Sequence, residues 1–195
     1  MGRVSRAEAQ QNRQHVVEAA ARLFRERGVQ AVSVAELMAA AGLTHGAFYK
    51  QFSSKEALVT EATGQVFDEF IGPLAERDPD RPEEYAAART ALLDRYFSAE
   101  HRDDPGAGCP ASTFAADVAR EAEDSPVRAV YAKGAEDFSR WLATDGDEDL
   151  AALSTMVGAL LLARATSGTD LSDRILAAAR AAVEPLSPGG DARTG

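Results

Sequence analysis

Ser33-Val34-Ala35-Glu36-Leu37-Met38-Ala39-Ala40-Ala41-Gly42-Leu43-Thr44-His45-Gly46-Ala47-Phe48-Tyr49-Lys50-Gln51-Phe52 spells two short helices and the turn between them. Ser33 stands three residues before Glu36. That is the spacing of a capping box, in which the serine oxygen accepts an orphan N–H and the carboxylate reaches back. Val32 and Leu37 take the positions of a hydrophobic staple across the same helix start. The pattern predicts a helix from Val34 to about Ala41, stopped by Gly42, the residue suited to a left-handed turn. Thr44 is placed to cap a second helix, about His45 to Gln51. Its packing side is Ala47, Phe48 and Phe52; its other side offers His45, Tyr49, Lys50 and Gln51.

Two capped helices at this spacing have the length of a helix-turn-helix. Ala39, Ala40 and Ala41 keep the first helix slim at the crossing. Gly46 and Ala47 let a polyanion backbone approach the second, and polar residues there suit base edges and phosphates. Lys55 sets a cation beside the N–H groups of the next helix start, which suits a phosphate. An ordinary helical hairpin with a polar outside fits the same pattern.

Outward from this stretch the chain reads as helix throughout, with no lasting strand alternation. Val16, Ala20, Leu23 and Phe24 form one stripe of a first helix, about Ala7 to Arg27, which Gly28 ends. Ser53 and Glu56 repeat the capping-box spacing and open a long helix carrying Leu58, Ala62, Val66, Phe70 and Leu74, with Pro73 near its end. Beyond the polar stretch Glu76–Pro82, helices are expected at about Glu83–Ala99, Ala111–Glu123, Pro126–Thr144, Glu148–Ser167 and Leu171–Val183. A loop is expected around His101–Pro110. The fold class is all-α: an N-terminal three-helix unit, residues 1–56, a larger helical domain, 57–184, and a disordered tail, 185–195.

Composition narrows the function. The 195 residues hold one cysteine, Cys109, so no internal disulfide and no multi-thiolate zinc site is expected. His15, His45 and His101 lack metal-pair spacing, and neither metal nor cofactor is expected. With no secretory pattern and no apolar run beyond Leu150–Ala163, a soluble, cytoplasmic protein is expected. The net charge is −10, yet residues 1–56 hold eight Arg or Lys against five Glu. That third is +3 and the remainder −13, a basic end on an acidic body.

From His15 to Val59 the chain resembles the N-terminal domain of the TetR/AcrR family of bacterial transcriptional regulators. The resemblance rests on Ala19-Ala20-Ala21-Arg22-Leu23-Phe24, Gly28, Ser33-Val34-Ala35-Glu36-Leu37, Ala41-Gly42-Leu43-Thr44 and the run from Gly46 to Leu58. It implies a DNA-binding homodimer with a helical sensor domain. Position by position it implies DNA contacts at Ser33, Thr44, His45, Gly46, Ala47, Tyr49, Lys50, Gln51 and Lys55, although Gln51 is neutral where other members carry a cation. The expected function is a ligand-responsive repressor on a pseudo-palindromic operator, released by a small molecule. The dimer is expected to pair the helices at about 148–167 and 171–183, with Leu160 and Ile175 in the seam.

Tyr96, Phe114, Tyr131 and Trp141 are the candidates to line a ligand pocket, since buried Tyr and Trp seek polar partners. Cys109 is a fifth candidate. A helix start near Ala111 would favour its thiolate and a sensing role; a small buried filler is the other reading. An enzyme lacks support, because the chain shows no nucleophile–base pair and no phosphate-cradling loop. An acidic helical adaptor that binds protein and no DNA is the alternative.

Overall fold

The computed structural model describes residues 6–74, 81–144 and 147–184. The expected tail and most of the 76–82 stretch lie outside them. Every regular element among the described residues is helical. Helix α1 (Arg6–Arg27) buries the expected stripe, including Val16, Ala20, Leu23 and Phe24, and closes at Gly28 with φ +79°. Helix α2 (Val34–Ala40) carries the complete capping box of Ser33 and Glu36. The chain reverses at Gly42, φ +71°, and a 3-10 turn (His45–Ala47) runs into α3 (Phe48–Gln51). Thr44 has the extended backbone of a cap, but its side chain makes no capping bond.

Helix α4 (Lys55–Ile71) is capped by Ser54, not by the expected Ser53; the Ser54 hydroxyl accepts the Ala57 N–H at 3.0 Å. Glu56 does not fold back on the cap. Its carboxylate accepts the Ser125 hydroxyl at 2.8 Å instead. Helix α5 (Pro82–Tyr96) is shorter than expected. Ser98 accepts the His101 N–H at 3.1 Å and starts α6 (Ala99–Asp103) where a loop is read from the sequence, and a 3-10 turn (Pro105–Ala107) follows.

The helix expected at Ala111–Glu123 is broken into α7 (Pro110–Thr113) and α8 (Ala115–Val118). The hydroxyls of Ser112 and Thr113 donate to the Cys109 carbonyl, at 2.9 and 3.0 Å. Ala111 and Phe114 then turn into different cores. Helices α9 (Pro126–Leu142), α10 (Leu150–Ala165) and α11 (Asp170–Val183) lie within a few residues of their expected bounds.

The described residues form two apolar cores, and α4 passes through both. Its first half puts Leu58, Val59, Ala62 and Val66 among the residues of α1, α2 and α3. Phe114, Val118 and Val127 of the later chain close that core from the other side. From Phe67 onward α4 belongs to the second core, with α5, α9, α10 and α11. Burying each large aliphatic or aromatic side chain contributes about 1.5–3 kcal/mol, so a helix anchored in both cores is costly to move. Arg89 is buried and donates to the Leu142 and Val183 carbonyls at 3.1 and 3.0 Å, satisfying the ends of α9 and α11.

Helix α9 approaches α4 so closely at Gly134 that a Cβ there would overlap the Phe67 ring. Gly134→Ala therefore forces the two helices apart, and we expect a loss of about 1–3 kcal/mol, read as a lower midpoint in thermal unfolding followed by circular dichroism. Gly64→Ala on α4 is the control. Its Cβ would meet only Val130, at an ordinary 3.4 Å, so stability should hold or rise.

Candidate nucleic-acid interface

Capping, turn and packing together present one polar ridge. Phe48 and Phe52 are buried against α1, and their rings stack with centroids 5.5 Å apart. That pins the 3-10 turn and α3 so that Thr44, His45, Gly46, Tyr49 and Lys50 face solvent. Tyr49 is 67% exposed, a large apolar ring in water. It is held edge-on by Phe48 at 5.2 Å and faces His45 at 6.3 Å. Ala47 is half-buried beneath it.

Ser33 is exposed at the start of α2. Its hydroxyl accepts the Glu36 N–H and donates to the Glu36 carboxylate at 2.8 Å. Those bonds and Arg27, 2.8 Å away, hold the Glu36 carboxyl at about 2. One expected contact, Lys55, turns inward, and a second, Gln51, is held at its backbone. Lys55 donates to the Val29 carbonyl at 2.6 Å, and burial lowers its pKa. Gln51 is half-buried, and its main-chain carbonyl accepts from Arg13, which also pairs with Glu61 and lies 4.2 Å over the Phe52 ring. An i-by-i reading of helix faces cannot show this, because both partners are distant in sequence.

In the larger domain a cavity of about 220 Å³ is lined by Phe70, Arg95, Tyr96, His101 and Asp104 among others. It shares Phe70, Arg95, Asp104 and Ala107 with a cleft of about 460 Å³ that reaches Arg22 and Arg25 of α1. Of the five expected ligand residues, Tyr96 lines this cavity. Tyr131 lies elsewhere, edge-on to Phe67 and donating to the Ala111 carbonyl at 2.6 Å; burial pushes it up to about 12. Phe114 is fully buried in the core shared with α1, α2 and α3, and Trp141 packs edge-on to Tyr85 in the second core. Aromatic content cannot separate Tyr96, Phe114, Tyr131 and Trp141, since each has apolar neighbours in a core.

Cys109 is fully buried behind Tyr96, and burial raises its pKa. Of the two readings open for Cys109, its burial agrees with the small buried filler. The helix is only four residues long, and the cost of burying a charge outweighs its dipole. The Tyr96 hydroxyl beside it is buried without a hydrogen-bond partner. His101 fixes this corner. The Cys109 N–H donates to its Nε2 at 3.2 Å, so Nδ1 carries the proton and donates to the Tyr96 carbonyl at 2.7 Å.

The exposed side of α10 and α11 is apolar. Leu150, Leu161, Leu162 and Leu171 face solvent, and a methyl added at Gly158 between them would meet nothing within 4 Å. Leu160 is fully buried in the core and Ile175 is half-buried, which removes Leu160 from the expected seam. No helix among the described residues is long and apolar enough to cross a membrane.

Fold and ridge define the class: a helix-turn-helix protein with an all-helical second domain. Comparison with known proteins agrees. Residues 16–62 match the sequence pattern of bacterial regulatory proteins of the tetR family. Over 106 residues the chain is 34% identical to the HTH-type transcriptional repressor DhaR of Mycobacterium sp. (strain GP1), covering 54% of this chain and 52% of that protein. The chain thus matches about half the length of that relative. It is 44% identical over 61 residues to the HTH-type transcriptional regulator AcrR of Shigella flexneri, 31% of this chain and 28% of that one. The fold is that of a TetR-family regulator from Cytophaga hutchinsonii, with TM-score 0.68 at 20% identity over 93% of this chain and 96% of that one. Over residues 16–62 the chain resembles the TetR family of transcriptional regulators, and its fold is that of the family's solved members. The matches are to transcriptional regulators and leave the adaptor reading without support.

His101 makes a pH dependence testable. Burial lowers its pKa, the Arg164 and Arg95 charges add to that, and the bond to the Tyr96 carbonyl and Asp104 oppose it. The folded state therefore favours neutral His101. Its contribution is complete above about pH 6.5 and is lost as the pH falls below that toward the lowered value. Thermal midpoints of wild type and His101→Gln should converge as the pH falls from about 7.5 to about 5.5. Parallel curves would remove this role.

Proposed function

We propose that the chain is a repressor that binds a pseudo-palindromic operator as a homodimer and is released by a small molecule. Residues 1–56 would read the DNA and residues 57–184 would sense and dimerise. The observation that carries this reading is the ridge of Thr44, His45, Gly46, Tyr49 and Lys50, exposed on a helix whose other side is locked by Phe48 and Phe52. A large exposed Tyr on a rigid element has no use in folding and suits a groove wall or phosphate. Ser33 and Ala47 would approach the backbone beside it. Lys55 would support the ridge from behind rather than touch DNA, and Gln51 would stay a candidate contact at its edge. The description of DhaR as a repressor supports repression. The ligand would enter the cavity lined by Tyr96 and His101, where the cleft reaches α1 of the DNA-binding unit.

Lys50→Ala should weaken binding to all duplexes alike and reduce the salt slope by about one unit. Tyr49→Phe should lose affinity at an unchanged thermal midpoint. Fluorescence anisotropy across a salt series reads both. Normal binding by both variants would displace the ridge as the DNA face.

The dimer would bury the exposed Leu150, Leu161, Leu162 and Leu171 with the small residues Ser154, Gly158, Ala178 and Ala182 between them. Small residues allow close approach of antiparallel helices across a two-fold axis. Leu161→Asp should give a folded monomer in sedimentation, because its carboxylate is solvated once the partner leaves. A monomeric wild type would overturn the seam.

A further inference from the structure

Two polar side chains of the larger domain cross to the DNA-binding unit and hold it at separate points. Asp117, on α8, is 13% exposed and accepts the Val29 N–H at 2.8 Å. Val29 follows the positive-φ Gly28 at the turn from α1 toward α2. Lys55, the first residue of α4, takes the carbonyl of the same Val29 at 2.6 Å. Both main-chain polar groups of Val29 are therefore used, one by the larger domain and one by the helix that follows the ridge. The second tie is Ser125. It occupies the N-cap position of α9, yet its hydroxyl makes no capping bond to its own helix. It donates to Glu56 in the first turn of α4, at 2.8 Å, and the residue is only 7% exposed.

Between these two ties the domains meet through Phe114, Val118 and Val127. Apolar burial sets how close the surfaces come but has little directional preference. Hydrogen bonds from buried groups are directional, and they fix rotation. Val29 precedes the ridge in sequence and Glu56 follows it, so the pair of ties brackets the whole helix-turn-helix.

Resting on the assignment of the 44–50 ridge as the DNA face, we propose that Asp117 and Ser125 are positioning residues. They fix the tilt of the DNA-binding unit on the larger domain and thereby the separation of the two ridges in the dimer. Two recognition elements must meet major grooves about 34–36 Å apart, so a small change of tilt is felt mainly when both half-sites are engaged. Neither residue touches DNA.

The test uses the full-length chain and a duplex selected by the wild type from random-sequence DNA. It adds a half-site duplex and versions with one or two base pairs inserted at or removed from the centre. The Asp117→Ala/Ser125→Ala double variant should bind the selected duplex about tenfold more weakly, because the second half-site loses effective concentration. Its half-site affinity should match wild type, and the penalty for altered spacing should shrink. Asp117→Asn keeps an acceptor oxygen for the Val29 N–H and should restore the wild-type spacing preference. Equal losses on half-site and full duplex would mark the pair as merely structural, and an unchanged spacing preference in the double variant would overturn the proposal. Failure of the wild type to select any duplex is a distinct result: it removes the DNA-binding assignment, and this inference falls with it.

Discussion

The structure depends on α4 being buried twice. Leu58 to Val66 complete the core of the DNA-binding unit, and Phe67 begins the core of the larger domain one residue later. One rigid rod therefore belongs to both units, and neither can rearrange without displacing side chains in the other. Packed interiors resist continuous deformation, so a shift at one end of such a helix is passed along it rather than absorbed. The close approach of Gly134 to Phe67 sits just where the helix changes cores.

Around that rod the polar groups act as local fasteners. In the DNA-binding unit Arg13 spans α1, α3 and α4 by pairing with Glu61 and the Gln51 carbonyl while covering Phe52. In the larger domain arginines satisfy main-chain carbonyls. Arg164 donates to the carbonyls of His101 and Arg102 at 3.1 and 3.0 Å, and Gly108 leaves it room, since a Cβ there would lie 2.6 Å from the guanidinium. Arg102 in turn reaches Ser172 and Asp173 of α11. The α6 corner, which carries His101 and one wall of the cavity, is thereby tied to α10 and α11. Those are the helices with the open apolar face, so cavity and proposed dimer seam share a support.

The same arrangement reconciles an acidic chain with the DNA face proposed for the ridge. The ridge gathers Lys50 with His45, Tyr49 and backbone, while Glu36 is occupied by Ser33 and Arg27. Field strength at a surface follows local distribution and screening rather than the chain total.

By itself the sequence determined the helix-turn-helix. Ser33 with Glu36, Gly28, Gly42 and the spacing of Phe48 and Phe52 are local signals, acting within one or two helical turns, and each is found in the structure as read. It also placed the long helices, whose apolar periodicity is local too. What only the tertiary structure decided is where side chains with more than one possible partner went. Glu56 left the Ser53 cap for Ser125, Lys55 turned from solvent to Val29, and Leu160 went inward while Leu161 stayed out. Cys109 was buried rather than activated, and the helix after it broke so that Phe114 and Ala111 could serve different cores. Each of these outcomes depends on a partner far along the chain. Burial and long-range hydrogen bonds settle them, and neither leaves a mark in the residues nearby.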